Sequence, residues 1–320
     1  MHTPKLSNSI QNIDHIRISQ LAPPVGALNP REPVLKASNI TPSDLAVALG
    51  LLEGDHYKAL QPSDYLQFLS KGQSDRVKLY IQTNEKIRVW VIKSILYYDT
   101  ASGRSEVVKF YINTAFVSPN DSLAYLMTFN NLFQECYSMR NFSSTAAISS
   151  AIQSVSVENL KATMKATRKS LSKKVQAKLP AIYDIVHPHS NHRGYHEAIQ
   201  SAATAQEMDI CIPWLAVHLK ELRKVFRQPL TVEVDNQHLI NFSRHNGFMD
   251  RIKEILYYTP PNLEDKRHGG QLAYLLNELR DIDSSGKLEQ QLSAKSKGFS
   301  TRESSRNIDD DLRLVGFAVS

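Results

Sequence analysis

Four histidines stand close together in the segment HPHSNHRGYH: His187, His189, His192 and His196. Imidazole nitrogens are common zinc ligands, and the last two histidines are spaced to face one side of a helix. A zinc site takes three or four ligands in an ordered spacing, however, and no HExxH sequence accompanies them. The intervening Pro188 favours a loop. We therefore predict that this segment is a polar loop entering a helix, and that the chain holds no metal.

Other patterns that carry nucleotide or covalent chemistry are missing from the sequence. No glycine-rich GxGxxG or GxxxxGK[ST] loop is placed to cradle phosphates, and no GxSxG sequence offers a serine nucleophile. Cys136 and Cys211 lie in helical or apolar contexts, which favours buried core residues over nucleophiles. We predict no cofactor and no covalent chemistry, so an interaction protein is the expected class.

The segment KATMKATRKSLSKKVQAK (161–178) carries seven cationic side chains and no acidic one. Such a cluster can meet the phosphates of a nucleic acid or of an anionic lipid surface. No aromatic residues alternate with the cations to stack on bases, so we expect no nucleic acid as a partner. Two interpretations stay open: a solvated helix face with its loop, and a site for an anionic membrane surface.

The composition is that of an ordinary globular chain. Of the 320 residues, 42% are hydrophobic and 22% are charged, and the net charge of +6 permits acidic partners without requiring one. Two cysteines cannot form a disulfide framework and are typical of a reducing compartment. No apolar run is long enough to span a bilayer. We expect a cytoplasmic protein, recruited to a membrane if the basic segment binds one, or placed in a host cytosol if it is an exported bacterial effector.

Apolar residues recur at helical spacing through most of the chain, and neither βαβ alternation nor an internal repeat is visible. The predicted fold class is therefore all-α, with Thr41 or Ser43 capping the first helix and a helical pattern over 238–258. Only 107–117 and 230–234 look like strands, because they are rich in β-branched residues. The chain divides into three predicted parts: a flexible N-terminal leader over 1–40, one domain over 41–302 and a C-terminal tail over 303–320.

Six segments resemble, in the same order, the catalytic domain of Ras-type guanine-nucleotide exchange factors, the RasGEF family. Elements of the family pattern such as LLE, WV, NFN, YREAL and LINF have counterparts in them. The segments are LLEGDHYKALQPSDYL (51–66), TNEKIRVWV (83–91), FNNLFQECYSMRNFSSTAAISSAI (129–152), SNHRGYHEAI (190–199), CIPWLAVHLKEL (211–222) and LINFSRHNGFMDRIKEI (239–255). Through these segments the domain over 41–302 is identified as a divergent member of that family.

The resemblance implies an all-α, RasGEF catalytic-domain-like bowl from which a helical hairpin protrudes. In that family the hairpin inserts near switch I of a Ras-subfamily GTPase, disturbs the magnesium and phosphate subsites, and so promotes GDP release. The GDP, GTP and magnesium belong to the GTPase, which agrees with the missing phosphate loop. Carried over to this sequence, the hairpin is 215–227 packed against 239–257. Its wedge residues are expected to be Leu222, Arg223, Lys224, Val225, Phe226 and Arg227.

The resemblance also implies further GTPase-binding positions, although a scaffold role inside the domain is the alternative for each of them. They are Trp90, Asn141, Phe142, Ser143, Asn191 and Tyr195. Residues 97–122 have no counterpart in the family pattern, and we expect a local hairpin there that adds to the interface. The separate N-terminal exchanger motif that usually accompanies this domain has no obvious counterpart in the first forty residues.

The expected wedge departs from the family pattern at two positions. The family commonly has one or two glutamates where this chain has Phe226 and Arg227, and a carboxylate there can stand near the displaced magnesium. An arginine has no acceptor, so it cannot play that part. Two functions follow from the resemblance. One is an exchange factor for Ras, Rap or Ral; the alternative is a pseudo-exchange factor or scaffold that binds a small GTPase without catalysing exchange.

Overall fold

A computed structural model describes residues 40–116, 136–137, 139–188, 191–201, 210–261, 263, 269–282 and 285–314. Residues 1–39 of the leader predicted over 1–40 lie outside these ranges, and Ile40 is buried. Within them the chain is helical apart from one two-stranded antiparallel sheet and two isolated bridges, so the predicted all-α class is confirmed. Of the helices that can be described, none combines the length and apolar character that a bilayer crossing requires.

The elements follow one another along the chain in the order helices, β-hairpin, helices. They are α1 (Pro42–Lys58), α2 (Pro62–Lys71), α3 (Asp75–Leu96), α4 (Ala101–Phe116), α5 (Phe142–Ile152), α6 (Val155–Glu158), α7 (Lys161–Ser170), α8 (Lys173–Val186), α9 (Arg193–Ser201), α10 (Leu215–Phe226), β1 (Thr231–Val234), β2 (Gln237–Ile240), α11 (Phe242–Leu256), α12 (Gly269–Arg280) and α13 (Lys287–Leu314).

Local sequence signals fix the start of α1. The Thr41 hydroxyl accepts a hydrogen bond from the Asp44 backbone N–H at 3.1 Å, and the Asp44 carboxylate accepts one from the Thr41 backbone N–H at 3.0 Å. This reciprocal capping box satisfies two amides that the first turn would otherwise leave unpaired, and Pro42 at the first helical position needs no such partner. Of the two predicted caps, Thr41 is the one that the structure confirms.

The largest core cluster lies between α1, α3, α4, α5, α12 and α13. Trp90 is fully buried in it, with the rings of Tyr111 and Tyr274 edge-on at centroid distances of 5.6 and 6.5 Å. The indole N–H donates to Glu278 Oε2 at 3.1 Å, so the single polar atom of this side chain is satisfied. Trp90 therefore belongs to the framework of the domain.

The strand predicted over 107–117 is wrong, because Ala101–Phe116 is helix α4. Val107, Val108, Tyr111 and Ile112 are buried at spacings that place them on one helical face. Valine and isoleucine favour strands in isolation, but packing of this face into the main core outweighs that preference. The local hairpin expected over 97–122 is thus wrong where it can be described, and 117–122 lies outside the described residues.

Helix α13 runs through the predicted boundary between residues 302 and 303 and continues to Leu314. Its Glu303 is buried and accepts hydrogen bonds from the guanidinium of Arg104 in α4 at 2.7 Å and from the Ala162 backbone N–H at 2.8 Å. Arg104 is 2% exposed and also lies over the Phe299 ring, 4.3 Å from its centroid. The first residues assigned to a tail are therefore bound to the domain.

Candidate functional site: a protruding helical hairpin

Helices α10 and α11 pack against each other and are joined by the strands β1 and β2, and we call residues 215–256 the hairpin. The lower part of both helices is apolar. Leu215, Leu219 and Leu222 of α10 are buried with Ile252 and Ile255 of α11 in a second core cluster that includes residues of α1, α2 and α3. The hairpin is thereby anchored in the body of the domain through its base.

The outer end of the hairpin is a two-stranded β-ribbon in which every strand residue is exposed. Val232 pairs with Leu239, and the two strands are joined by Asp235 and Asn236, both with positive φ near 51° and 59°. That conformation is the tight two-residue turn whose twist suits antiparallel strands, and Asp and Asn tolerate it. The strand predicted at 230–234 is confirmed for 231–234.

The helix predicted over 238–258 begins later than expected, since 238–240 belongs to β2. Asn241 caps α11, because its side-chain carbonyl accepts from the Arg244 backbone N–H at 3.0 Å. Its side-chain amide donates to the Pro229 carbonyl at 2.9 Å, and its backbone N–H donates to the Leu230 carbonyl at 2.9 Å. One residue therefore both starts the helix and closes the base of the ribbon.

Three side chains lock the two helices together just below the ribbon, and we call them the neck: Phe226, Arg244 and Phe248. The Arg244 guanidinium donates to the Phe226 carbonyl at 3.0 Å and lies 5.1 Å from the centre of the Phe226 ring. The Phe226 and Phe248 rings are 5.9 Å apart. The guanidinium satisfies a helix-end carbonyl while stacking on an aromatic face, which holds the ribbon in a fixed direction relative to the helices.

The expected wedge residues separate into two groups in the structure. Leu222 is fully buried, and Val225 and Phe226 are partly buried in or next to the neck. Arg223, Lys224 and Arg227 are exposed, and none of them forms an ion pair with the described residues. The exposed part of the predicted wedge is thus cationic, and its apolar part supports the hairpin from inside.

The tip is also the most apolar exposed surface of the described chain. Twelve large hydrophobic side chains are exposed in the described residues, and six of them fall within 230–242. These six are Leu230, Val232, Val234, Leu239, Ile240 and Phe242. A concentration of this kind typically marks a surface that another macromolecule covers. The sequence prediction placed the first strand of this ribbon but missed its turn and its second strand, although Asp235-Asn236 after a β-rich run is a recognisable turn signal.

A buried polar pair supports the inner side of α10. The Tyr195 hydroxyl and His218 Nε2 are 2.7 Å apart, and Tyr195 Oη accepts from the Trp214 backbone N–H at 3.2 Å. Burial lowers the pKa of His218 to about 4, so the imidazole is neutral near pH 7 and can accept a hydrogen bond from the Tyr195 hydroxyl. Burial raises the pKa of Tyr195 well above its usual range, which keeps that proton in place.

A carboxylate on the same helix joins three elements. Glu221 Oε1 accepts from the Asn191 side-chain amide at 3.1 Å and lies 3.5 Å from His196 Nε2, while Oε2 is 3.7 Å from Arg251 Nη1. Asn191 precedes α9 and has a positive φ of 58°. Glu221 thus ties the start of α9 and the middle of α11 to the hairpin base.

The further GTPase-binding positions predicted from the resemblance lie inside the domain or on its inner contacts. Trp90, Asn141, Phe142, Ser143 and Tyr195 are all buried, and Asn191 is partly buried on Glu221. Whether any of them affects GTPase binding stays a prediction, but each makes a hydrogen bond or a ring contact within the domain. The structure favours the scaffold alternative for these side chains.

A buried carboxylate that the sequence prediction did not single out organises several of these residues. Glu53 in α1 accepts hydrogen bonds from the hydroxyls of Ser143, at 2.7 Å, and of Ser144, and from the Asn84 amide at 3.3 Å. Burial raises its pKa, and the hydrogen bonds from Ser144, Ser143 and Asn84 oppose that rise. Its signal in the sequence was an acidic residue directly after two leucines of the apolar first helix, a position where a carboxylate needs partners.

The histidine segment does not gather ligands. His189 lies outside the described residues, His192 packs edge-on against Trp214 at 5.1 Å, and His196 faces Glu221. In the ranges that the structure describes, no group of three or more histidine, cysteine or acidic side chains is arranged to hold a metal ion. The polar contacts of this segment instead support α10.

Comparisons with known proteins agree on one family. A family model described as the RasGEF domain matches residues 44–246. The chain is 23% identical over 245 residues to the Ras guanine nucleotide exchange factor efc25 of Schizosaccharomyces pombe, covering 76% of this chain and 22% of that protein. It is 22% identical over 230 residues to cell division control protein 25 of Saccharomyces cerevisiae, covering 70% of this chain and 13% of that protein. The match to the guanine nucleotide exchange factor SDC25 of the same species is 24% over 213 residues, 61% of this chain and 16% of that protein. The chain thus spans less than a quarter of the length of these relatives.

Proposed function

This chain belongs to the RasGEF domain family, and on that premise we propose that it is a guanine-nucleotide exchange factor for a Ras-subfamily small GTPase. The observation that carries the proposal is the tip of the hairpin, where six exposed apolar side chains and three exposed cations sit on a braced helical pair. The matched family model extends over residues 44–246, which include this tip, and relatives named as guanine nucleotide exchange factors match the chain over 213 to 245 residues. The nucleotide and its magnesium would be carried by the GTPase.

The mechanism that we propose is competition for the nucleotide site. If the hairpin occupies space next to the bound nucleotide, the GTPase cannot hold the hairpin and the nucleotide in their preferred positions at once. The exchange factor and the nucleotide then each weaken the binding of the other by the same factor. Release of GDP is then accelerated because the complex offers a route with a lower barrier. A rigid hairpin is needed for this, since a flexible one would bend aside, and the neck and Asn241 supply the rigidity.

The cations at the tip have a different role from a magnesium-directed carboxylate. Arg223, Lys224 and Arg227 are exposed and can pair with acidic side chains of the GTPase or with a phosphate of the leaving nucleotide. Such charges chiefly raise the rate of encounter and set the orientation of docking. We therefore place recognition in these three side chains and the displacement itself in the ribbon.

The test is release of a fluorescent guanine nucleotide from a panel of Ras, Rap, Ral, Rho, Rab and Arf proteins, with this chain titrated in. We expect a dose-dependent acceleration for at least one Ras-subfamily member. The double variant Arg223→Ala with Arg227→Ala should lower the rate by roughly tenfold or more, because two docking charges are lost. Lys71→Ala with Lys78→Ala removes the same charge from exposed positions outside the hairpin and should exchange like the unaltered protein.

A second set of variants tests the ribbon separately. Val232→Thr with Leu239→Thr keeps residues that suit strands but removes apolar surface from one face of the ribbon. We expect exchange to fall while the thermal unfolding temperature is unchanged. Leu66→Gln makes a comparable polar change at an exposed apolar position outside the hairpin and serves as the control. If the tip variants exchange normally, the hairpin is not the exchange element.

One observation favours a second candidate, a protein that binds a GTPase without releasing its nucleotide. At the two positions where the family commonly has glutamates, Phe226 is used inside the neck and Arg227 is a cation. Binding without release would appear as capture of a GTPase by this chain with no acceleration for any member of the panel. Capture that is stronger for the nucleotide-free GTPase, together with acceleration, would instead establish exchange.

A further inference from the structure

A pocket of about 430 Å³ lies between the end of α5 and helices α6, α7 and α8, outside the hairpin. Its volume is within the range of sites that hold small molecules. Four cationic side chains of α7 line it: Lys161, Lys165, Arg168 and Lys169. The only acidic side chain among its lining residues is Glu158, so the formal charge around the pocket is +3 at pH 7.

The position of the cations follows from the way α7 packs. Thr163 and Thr167 form its buried face, and Thr163 donates to the buried Glu303 at 2.8 Å. That contact fixes the rotation of the helix, so positions 161, 165, 168 and 169 are turned to the opposite, exposed side. The basic face is therefore held by the core rather than free to turn away from the pocket.

None of the four cations forms an ion pair with the described residues, whereas Arg88, Arg104 and Arg251 all do. Lys161 and Lys165, and again Lys165 and Lys169, stand four residues apart on the helix, where like charges repel and destabilise it. An anion in the pocket would relieve this repulsion. The arrangement therefore costs stability in the free protein and favours binding of a compact anion with several negative charges.

Apart from Gln153, whose side-chain amide donates to the Tyr183 carbonyl at 3.3 Å, the rest of the lining is apolar or aromatic. Ile152, Met164 and Tyr183 contribute carbon surface to the pocket. Val155, which begins α6 between two lining residues, is 74% exposed, and Lys173, three residues after the end of α7, is a further exposed cation. A soluble anion would need neither feature. A lipid would use both, with its headgroup in the pocket and Val155 in the edge of the bilayer.

We propose that this pocket binds the headgroup of a membrane lipid that carries two or more phosphates, and that it holds the chain on an anionic membrane. Phosphate oxygens would pair with the four cations, with the arginine able to form two parallel hydrogen bonds to one phosphate. The apolar lining would contact the carbon ring of the headgroup. The pocket shares no residue with the hairpin, so the inference does not depend on exchange activity.

The test uses the full chain and three kinds of vesicle: neutral phosphatidylcholine alone, the same with a bisphosphorylated inositol lipid, and the same with phosphatidylserine at equal total charge. Co-sedimentation should show tightest binding to the inositol lipid. Lys165→Gln with Arg168→Gln should weaken that binding about 30-fold, because each basic residue near an anionic surface contributes roughly fivefold. Lys71→Gln with Lys78→Gln carries the same charge change elsewhere on the exposed surface and should bind as the unaltered chain does.

The source of the phosphates is decided by a second comparison, with soluble inositol bisphosphate measured by calorimetry. Val155→Ser should weaken binding to vesicles and leave binding of the soluble headgroup unchanged. Equal binding to the serine and inositol vesicles, or full binding by the Lys165/Arg168 variant, would overturn the pocket as a headgroup site. Tight binding of the soluble headgroup with no effect of Val155→Ser on vesicles would overturn its use as a membrane site.

Discussion

His218 gives the domain a stability that depends on pH, and its size follows from the structure. The side chain is 2% exposed on the inner side of α10 and contacts the Tyr195 hydroxyl. Burial is the main cause that lowers its pKa to about 4, the positive charges of His196 and Arg251 lower it further, and the negative charge of Glu221 opposes them. Folding therefore requires this imidazole to be neutral.

The sign of the effect follows from which state binds the proton. In the unfolded chain the pKa of this histidine is 6.5, and in the folded chain it is about 4. Above pH 6.5 neither state holds the proton and the full stability is present. Between pH 6.5 and 4 only the unfolded chain binds it, so the free energy of unfolding falls as the pH falls, by about 1.4 kcal/mol per pH unit. The whole loss amounts to about 3 kcal/mol.

The measurement is urea unfolding of the unaltered chain and of His218→Gln over a series of pH values from neutral downwards. Glutamine can still accept the Tyr195 hydrogen bond but does not titrate. We expect the unaltered chain to lose stability more steeply than the variant below pH 6.5. Glu53, whose raised pKa acts with the opposite sign, is present in both proteins and cancels in the difference.

A matched control is His245→Gln, at an exposed position of the neighbouring helix α11. It should leave the pH dependence of the unaltered chain in place. If His218→Gln and the unaltered chain have parallel curves between pH 6.5 and 4, the folded state accepts the proton without cost. The inference that His218 is a buried, neutral imidazole at the base of the hairpin would then be wrong.

Three further outcomes are expected. Glu303→Gln should lower the free energy of unfolding, measured with urea, by about 3–5 kcal/mol, because it leaves the buried Arg104 without its carboxylate. The double change Arg104→Met with Glu303→Leu should lower that free energy by less than the sum of the two single changes. Asn241→Ala should lower the free energy of unfolding by about 1–2 kcal/mol through loss of the helix cap, and it should speed hydrogen exchange of the backbone amides in 230–240. An unchanged exchange rate in 230–240 would show that the ribbon does not depend on this residue. Cys211 and Cys136 should resist a thiol reagent at pH 8 until urea unfolds the chain, since both are buried and burial raises the pKa of Cys211 to about 12; fast labelling of folded protein would contradict this.

The fold class could be predicted from the sequence because helical spacing of apolar residues is a local signal. The same signal predicted the two helices of the hairpin. The content of β-branched residues predicted the strand at 231–234 correctly but failed at 107–116, where the apolar positions recur at helical spacing. Periodicity should have outweighed propensity there, since the periodicity reports burial and burial decides the element.

The candidate site was harder to predict, because its key contacts join residues far apart in the sequence. Arg244 donates to the carbonyl of Phe226, which stands 18 residues earlier in the sequence, and Asn191 donates to Glu221, which stands 30 residues later. No spacing rule indicates such pairs. The second strand of the ribbon, β2, was missed for a different reason: a four-residue strand is too short for its alternation to stand out beside the helical pattern that follows it.

Leu239, Ile240 and Phe242 belong both to a segment that carries the family resemblance and to the exposed tip, but other positions that carry the resemblance are buried. Glu53, Asn141, Tyr195 and Asn241 all belong to recognised motifs, and each is buried and hydrogen-bonded within the domain. A buried polar side chain has few substitutes, because a replacement leaves its partners unsatisfied. The ribbon over 231–240 is fully exposed, so its side chains can vary without cost to the fold. The motifs therefore identify the domain, and the choice of GTPase should be sought by exchanging the ribbon between members of the family.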